Sequence, residues 1–133
     1  MARIKDRQDI ALLVNTFYAK VRKEDGLEHF FNKMIVGEEA WATHLDKLTD
    51  FWETQLLMAR SFSGNPMAAH NKVDKTFNHE IEMKHFGLWL NLWYETIDEL
   101  FDGEIAQLAK NKARNMSHFI FMEMYKNREV IKK

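Results

Sequence analysis

Several residue types that other classes of protein depend on are missing or scarce in this sequence. It has no cysteine, which excludes disulfides, thiolate catalysis and thiolate metal ligands. One proline and five glycines among 133 residues leave few breaks, so long helices can form between them. No apolar run approaches the roughly 18 residues of a membrane-spanning helix, and residues 1–9 are too charged for a secretory signal. We therefore expect a cytoplasmic protein with no membrane partner.

A surplus of positive charge is also absent. The 19 Lys and Arg residues nearly balance the 20 Asp and Glu residues, which gives a net charge of −1. Proteins that bind nucleic acid usually carry a basic surplus, so we expect no nucleic-acid partner. The chain is 46% hydrophobic and 13% aromatic, which is enough for a well-filled core. At this length the sequence predicts a single globular domain over residues 1–133.

Apolar residues recur at steps of three and four along most of the chain, which predicts an all-α fold without strands. Longer helices are expected over about 6–23, 38–60, 78–101 and 104–128, and a shorter one over 27–35. The first helix has an apolar stripe made of Ile10, Leu13, Val14, Phe17 and Val21. The last helix has one made of Ile105, Leu108, Ala109, Ala113, Met116, Phe119 and Ile120.

Two histidines lie on separate helical elements. His44 is on the long third helix, while His70 follows a helix start at Asn65-Pro66, where Asn can cap free amides and Pro suits the first turn. Residues 71–77 show no periodicity, so a loop is predicted there. Two rigidly held imidazoles could bracket a planar, iron-bearing ligand. Equally, His70 could be a surface residue, and His44 could tip from the edge of its apolar stripe towards solvent.

Two amphipathic aromatic residues raise a related question. Tyr18 is on the shoulder of the first stripe and Trp89 is on the predicted helix over 78–101, and each needs a hydrogen-bond acceptor or donor when buried. Their polar atoms could meet backbone groups, or they could point into a ligand pocket. Leu48 and Trp52 continue the face of His44. Such a wall suits a porphyrin, but it suits another helix equally well.

Two other kinds of protein fit parts of the sequence. Glu82 and His85 form a Glu-x-x-His unit, the spacing used by carboxylate-bridged non-haem iron sites in helical bundles. Such a site normally needs two units, and the sequence contains one. A cofactor-free helical interaction module is the other alternative, because eight methionines and many aromatic residues could serve an interface.

Four segments in order make the sequence resemble a known family. They are Phe17-Tyr18 with Leu27 and Phe31, then Trp41-x-x-His44-x-x-Lys47-Leu48-x-x-Phe51-Trp52, then Gly64-Asn-Pro66-x-x-x-His70, then Leu88-Trp89-Leu90. Together these segments resemble the truncated haemoglobins. The sequence contains no Gly-Gly pair, and in this respect it resembles the third group of that family. The resemblance extends from about Ile10 to Tyr125 and implies a shortened globin fold, with crossed helix pairs sandwiching a haem.

The resemblance also implies a role for individual residues. His70 would be the proximal iron ligand of haem b (iron protoporphyrin IX). The distal pocket, where the ligand binds, would contain Tyr18, His44, Leu48 and Trp89. Phe31 and Trp52 would pack against the porphyrin. O₂, NO or CO would be the ligands, with slow release, redox chemistry or detoxification expected rather than O₂ transport. A reductase would be a further partner, and NO dioxygenase or peroxidase-like activity is a plausible extension. No separate catalytic residue is assigned.

Overall fold

In the computed structural model, which describes residues 2–59, 64–77 and 80–132, the chain is helical apart from one pair of very short strands. The helices are α1 (Arg7–Val21), α2 (Glu28–Met34), α3 (Glu38–Leu57), α4 (Pro66–Thr76), α5 (Met83–Leu100) and α6 (Glu104–Lys132). Strands β1 (Ala2–Arg3) and β2 (Phe101–Asp102) pair in parallel, which the sequence did not predict. Within the described ranges, we find no helix with the length and apolar character needed to cross a membrane.

Helix α1 forms as its apolar periodicity predicts. It begins after Asp6, whose carboxylate accepts a hydrogen bond from the Asp9 amide at 3.1 Å and so caps the first turn. Every residue of the predicted stripe is fully buried, namely Ile10, Leu13, Val14, Phe17 and Val21. The helix packs against α3 and α5. Gly26 then turns the chain with a φ of +94°, and a Cβ there would lie 3.1 Å from the Leu88 side chain.

Helix α3 carries His44 and is slightly shorter than predicted. It begins at Glu38, after Gly37 with a φ of +90°, and it ends at Leu57 because Met58 adopts a left-handed φ of 60°. The predicted end at Arg60 lies outside the described residues, as do residues 61–63.

Helix α4 corrects the prediction of a loop over 71–77. The helix continues to Thr76, so His70 lies in its interior. The second half of α4 lacks apolar periodicity because it packs against α6 through an ion pair. Asp74 is buried and pairs with Arg128 of α6.

Helix α5 begins at Met83, later than predicted. The start that the sequence predicts for this helix, at Asn78, lies outside the described residues.

The buried face of α6 differs in part from the predicted one. Ala109, Ala113 and Ile120 are buried as predicted, but Leu108 is 38% exposed and Phe119 is 58% exposed. The prediction mixed two adjacent stripes of the same helix. The continuous buried stripe, which packs on α5 and α4, consists of Ala106, Ala109, Ala113, Ser117, Ile120 and Met124.

Candidate functional site

Aromatic side chains from α1 and α3 meet around Tyr18. The Tyr18 ring centroid lies 5.9 Å from that of His44 and 6.2 Å from that of Trp41, and the rings of Trp41 and His44 are 5.7 Å apart. Phe31 contacts the same tyrosine edge-on at 5.8 Å. Tyr18 and His44, which the resemblance assigns to the distal pocket, and Phe31, which it assigns to the porphyrin contacts, are therefore neighbours.

The hydroxyl group of Tyr18 is arranged as a donor. It is buried, and the indole N–H of Trp89, which can only donate, acts on its oxygen. Burial raises the pKa of Tyr18 to about 12, and this rise is partly opposed by Trp89. The phenol therefore keeps its proton at neutral pH.

Trp89 is held in place by a stack of tryptophans. Its ring lies 5.9 Å from that of Trp93, with an interplanar angle of 11°, and Trp93 in turn stacks on Trp52 at 4.6 Å. The indole N–H of Trp93 donates to the backbone carbonyl of Ala109 at 3.2 Å, which ties the stack to α6. Trp52 is thus buried in the core beside the pocket residues, on the far side of Trp93 from Trp89.

His44 presents an unpaired nitrogen. Its Nε2 is buried and has no hydrogen-bond partner among the described residues. Burial lowers the pKa of His44, and the positive charge of Lys47 and the charge on His70 lower it further. The ring is therefore neutral near pH 7. Leu48, one turn further along α3, is half-buried against the core.

His70 is oriented by the start of its own helix. Asn65 accepts a hydrogen bond from the Ala68 amide at 3.0 Å, and Pro66 occupies the first turn. The Nδ1–H of His70 donates to the Pro66 carbonyl at 2.6 Å, which leaves Nε2 with its lone pair free. Burial lowers the pKa of His70, against the opposing effect of the Pro66 bond. A neutral imidazole with one nitrogen anchored to a carbonyl is the form that ligates iron.

The ion pair between Asp74 and Arg128 was not predicted from the sequence. Arg128 of α6 forms a buried salt bridge with Asp74, with its Nε 2.8 Å from the carboxylate, and also donates to the Ile81 carbonyl at 2.6 Å. Asp74 lies one turn after His70, and the Asp74 hydrogen bond raises the pKa of Arg128. The position of Asp74 on the face of His70 was a weak signal, but nothing local indicated its partner 54 residues away.

The Glu-x-x-His unit has a structural role in this fold. The amide N–H of Glu82 donates to Nδ1 of His85 at 2.8 Å, which caps the start of α5. His85 also packs edge-on against Phe30 at 4.8 Å. Across the ranges that the structure describes, no three His, Asp or Glu side chains are grouped as a metal site would require.

Comparison with known proteins identifies the family. No protein-family model matches the chain. Over 116 residues the chain is 30% identical to the Group 3 truncated hemoglobin ctb of Campylobacter jejuni, and the alignment covers 86% of this chain and 87% of that protein. The chain belongs to the group 3 truncated haemoglobins. The identity over this length confirms the resemblance found in the sequence.

The fold of this truncated haemoglobin is confirmed by a solved relative. The crystal structure of group III truncated hemoglobin from Campylobacter jejuni matches with a TM-score of 0.84 at 26% identity, over 96% of this chain and 98% of that chain. The predicted shortened globin fold is therefore correct. The chain is a globin, and the residues around its pocket fit the group that globins hold: His70 has a free nitrogen, His44 has an unpaired one, and the Tyr18 hydroxyl has a proton to give.

Proposed function

We propose that this truncated haemoglobin holds haem b, with Nε2 of His70 as the proximal iron ligand. The observation that carries the proposal is the hydrogen bond from His70 Nδ1 to the Pro66 carbonyl, at 2.6 Å. It selects the tautomer in which Nε2 has a free lone pair, and burial keeps the ring neutral. Phe31 and Trp52 are proposed as aromatic residues on the porphyrin side of the pocket, with Leu48 beside the ligand.

Haem, when bound, would supply an iron that takes O₂, NO or CO and changes oxidation state with electrons from a reductase. The chain's own contribution is to hold the ligand and exclude water. The Tyr18 hydroxyl would donate to the ligand, and Trp89 would support that donor from behind or share the ligand with it. His44 lies edge-on to Tyr18 and would close the pocket or add a further donor.

The hydrogen-bond donors proposed above would affect how fast the protein releases O₂. Each net hydrogen bond contributes about 0.5–1.5 kcal/mol, so two of them would slow O₂ release by about five- to a hundred-fold. A carrier that must unload O₂ gains nothing from slow release. The proposed role is therefore redox chemistry or detoxification on the bound ligand, such as NO dioxygenation or peroxide turnover, rather than transport.

Absorption spectra of the purified protein in its ferric, ferrous and CO-bound forms test the proposal. A Soret band that shifts with CO, together with the pyridine adduct spectrum of haem b, is expected. His70→Ala should lose haem, or hold it only when imidazole is added, whereas the exposed His118→Ala should behave as the parent protein. A colourless protein that takes up no added hemin would refute the proposal. Haem loss in His44→Ala instead of His70→Ala would reverse the ligand assignment.

A further inference from the structure

Trp41 packs against the distal residues Tyr18 and His44 on one side and a surface cation on the other. Its side chain is almost fully buried, at 2% exposure. One side of the indole contacts His44 and Tyr18, with ring centroids 5.7 and 6.2 Å away. The guanidinium of Arg22, from the end of α1, lies 4.5 Å from the ring centroid. Trp41 is therefore packed between the distal pair and a surface cation.

Arg22 is itself held by the first residue of α3. Its Nη2 donates to a carboxylate oxygen of Glu38 at 2.9 Å, and the Arg22 hydrogen bond lowers the pKa of Glu38. Glu38 lies three residues before Trp41, so the ion pair and the indole share one turn of the helix. We call the Arg22–Glu38 pair the latch, because it joins α1 to α3 above the Trp41 ring.

Space for movement lies beside this tryptophan. A cleft of about 500 Å³ is lined by Trp41 together with the latch residues, Val36 and Gly37. Val36 is 74% exposed, and no atom lies within 4 Å of the position that a Cβ on Gly37 would occupy. The cleft is large enough to receive an indole ring that leaves its buried position.

We infer that Trp41, held down by the latch, controls access of the diatomic ligand by keeping the His44 ring inside the distal pocket. Trp41 is a positioning residue that acts through His44. The inference goes beyond the proposed function and rests on it. When the latch opens, the indole moves into the cleft, and the His44 ring can then swing towards the vacated space and admit the ligand.

The latch is a weak interaction, so it should open frequently. Glu38 is solvent-exposed and Arg22 is partly exposed, so their attraction is weak and is screened by salt. The cation over the indole adds to it. A weak contact at the surface thus governs a buried side chain, and ionic strength should change the rate of ligand association.

The first test measures CO association after flash photolysis in Glu38→Ala. Its matched control is Glu39→Ala, because both residues are exposed acids in the first turn of α3 and contribute equally to the helix dipole. Loss of an exposed pair predicts that Glu38→Ala associates with CO about two- to five-fold faster, while Glu39→Ala matches the parent. High salt should accelerate the parent but not Glu38→Ala. In a His44→Leu background, Glu38→Ala should have no further effect.

A second measurement follows Trp41 directly and does not depend on haem content. Solvent exchange of the Trp41 indole N–H is measured by NMR, and the resonance is assigned by its absence in Trp41→Phe. Faster exchange is expected in Glu38→Ala than in Glu39→Ala. Equal exchange and equal CO association in the two variants would overturn the latch. An undiminished effect of Glu38→Ala in the His44→Leu background would overturn the role of His44. Failure to bind haem would instead refute the proposed function, and the exchange measurement would still decide on the latch.

Discussion

The indole N–H of Trp89, on α5, acts on the hydroxyl oxygen of Tyr18, on α1, and opposes the rise in the pKa of that hydroxyl that burial causes. Because an indole N–H can only donate, the tyrosine oxygen is the acceptor in this contact. We therefore expect the tyrosine proton to be directed to a ligand rather than to Trp89, and we expect the two residues to act on that ligand as one unit.

The first prediction concerns O₂ release. Tyr18→Phe removes the donor and should accelerate O₂ dissociation by about two- to ten-fold, the range for one net hydrogen bond. Trp89→Phe should accelerate it as well, and the double variant should show less than the product of the two effects, because the residues share one unit. Stopped-flow dissociation rates measure this, with the exposed Tyr125→Phe as control. Unchanged rates in all three variants would make both residues packing residues only.

The second prediction concerns stability at alkaline pH. Burial raises the pKa of Tyr18 to about 12, above its ordinary value of 10.0. The folded state therefore binds this proton more tightly than the unfolded state, which stabilises the protein below pH 10 and is lost as pH rises through about 12. The loss corresponds to roughly 2–3 kcal/mol. Urea unfolding at several pH values should show this extra decline in the parent and not in Tyr18→Phe. Parallel curves for the two proteins would contradict it.

The third prediction concerns the Asp74–Arg128 ion pair between α4 and α6. Asp74 and Arg128 are 3% and 9% exposed, so Arg128→Leu removes the cationic partner of a buried carboxylate and should lower the free energy of unfolding by roughly 3–5 kcal/mol. The double variant Asp74→Leu/Arg128→Leu should recover much of that loss. Thermal and urea unfolding measure both. As a control, Glu99→Gln breaks an exposed pair with Lys20 and should cost no more than about 1 kcal/mol.

The fourth prediction concerns His44. Its Nε2 has no partner among the described residues, and its ring lies against Trp41 and Tyr18, which is the arrangement of a closed gate. His44→Leu should change CO association more than O₂ dissociation. Flash photolysis and stopped-flow mixing separate the two rates. Unchanged association with much faster O₂ loss would make His44 a direct donor to the ligand, and the gating role would be wrong.

Local patterns were sufficient for much of the fold. The spacing of Ile10, Leu13 and Phe17 predicts α1 and its buried face, since apolar periodicity needs no knowledge of the partner helix. The start of α4 at Asn65-Pro66 could also be predicted, because a cap acts on amides only two or three residues away. The same order of motifs indicated the family, which the comparison with the Campylobacter protein confirms.

Contacts between distant residues decided the rest. Residues 71–77 looked like a loop because the helix there docks through Asp74, and its partner Arg128 cannot be inferred from neighbouring residues. The contact of Trp89 with Tyr18 and the packing of Trp41 on His44 likewise depend on how α1, α3 and α5 come together. Sequence alone determined which helices form and which family the chain resembles, because periodicity, caps and motif order are local. Tertiary structure decided which polar atoms pair and which stay free. A polar atom needs a partner within the protein only once packing of the helices has buried it.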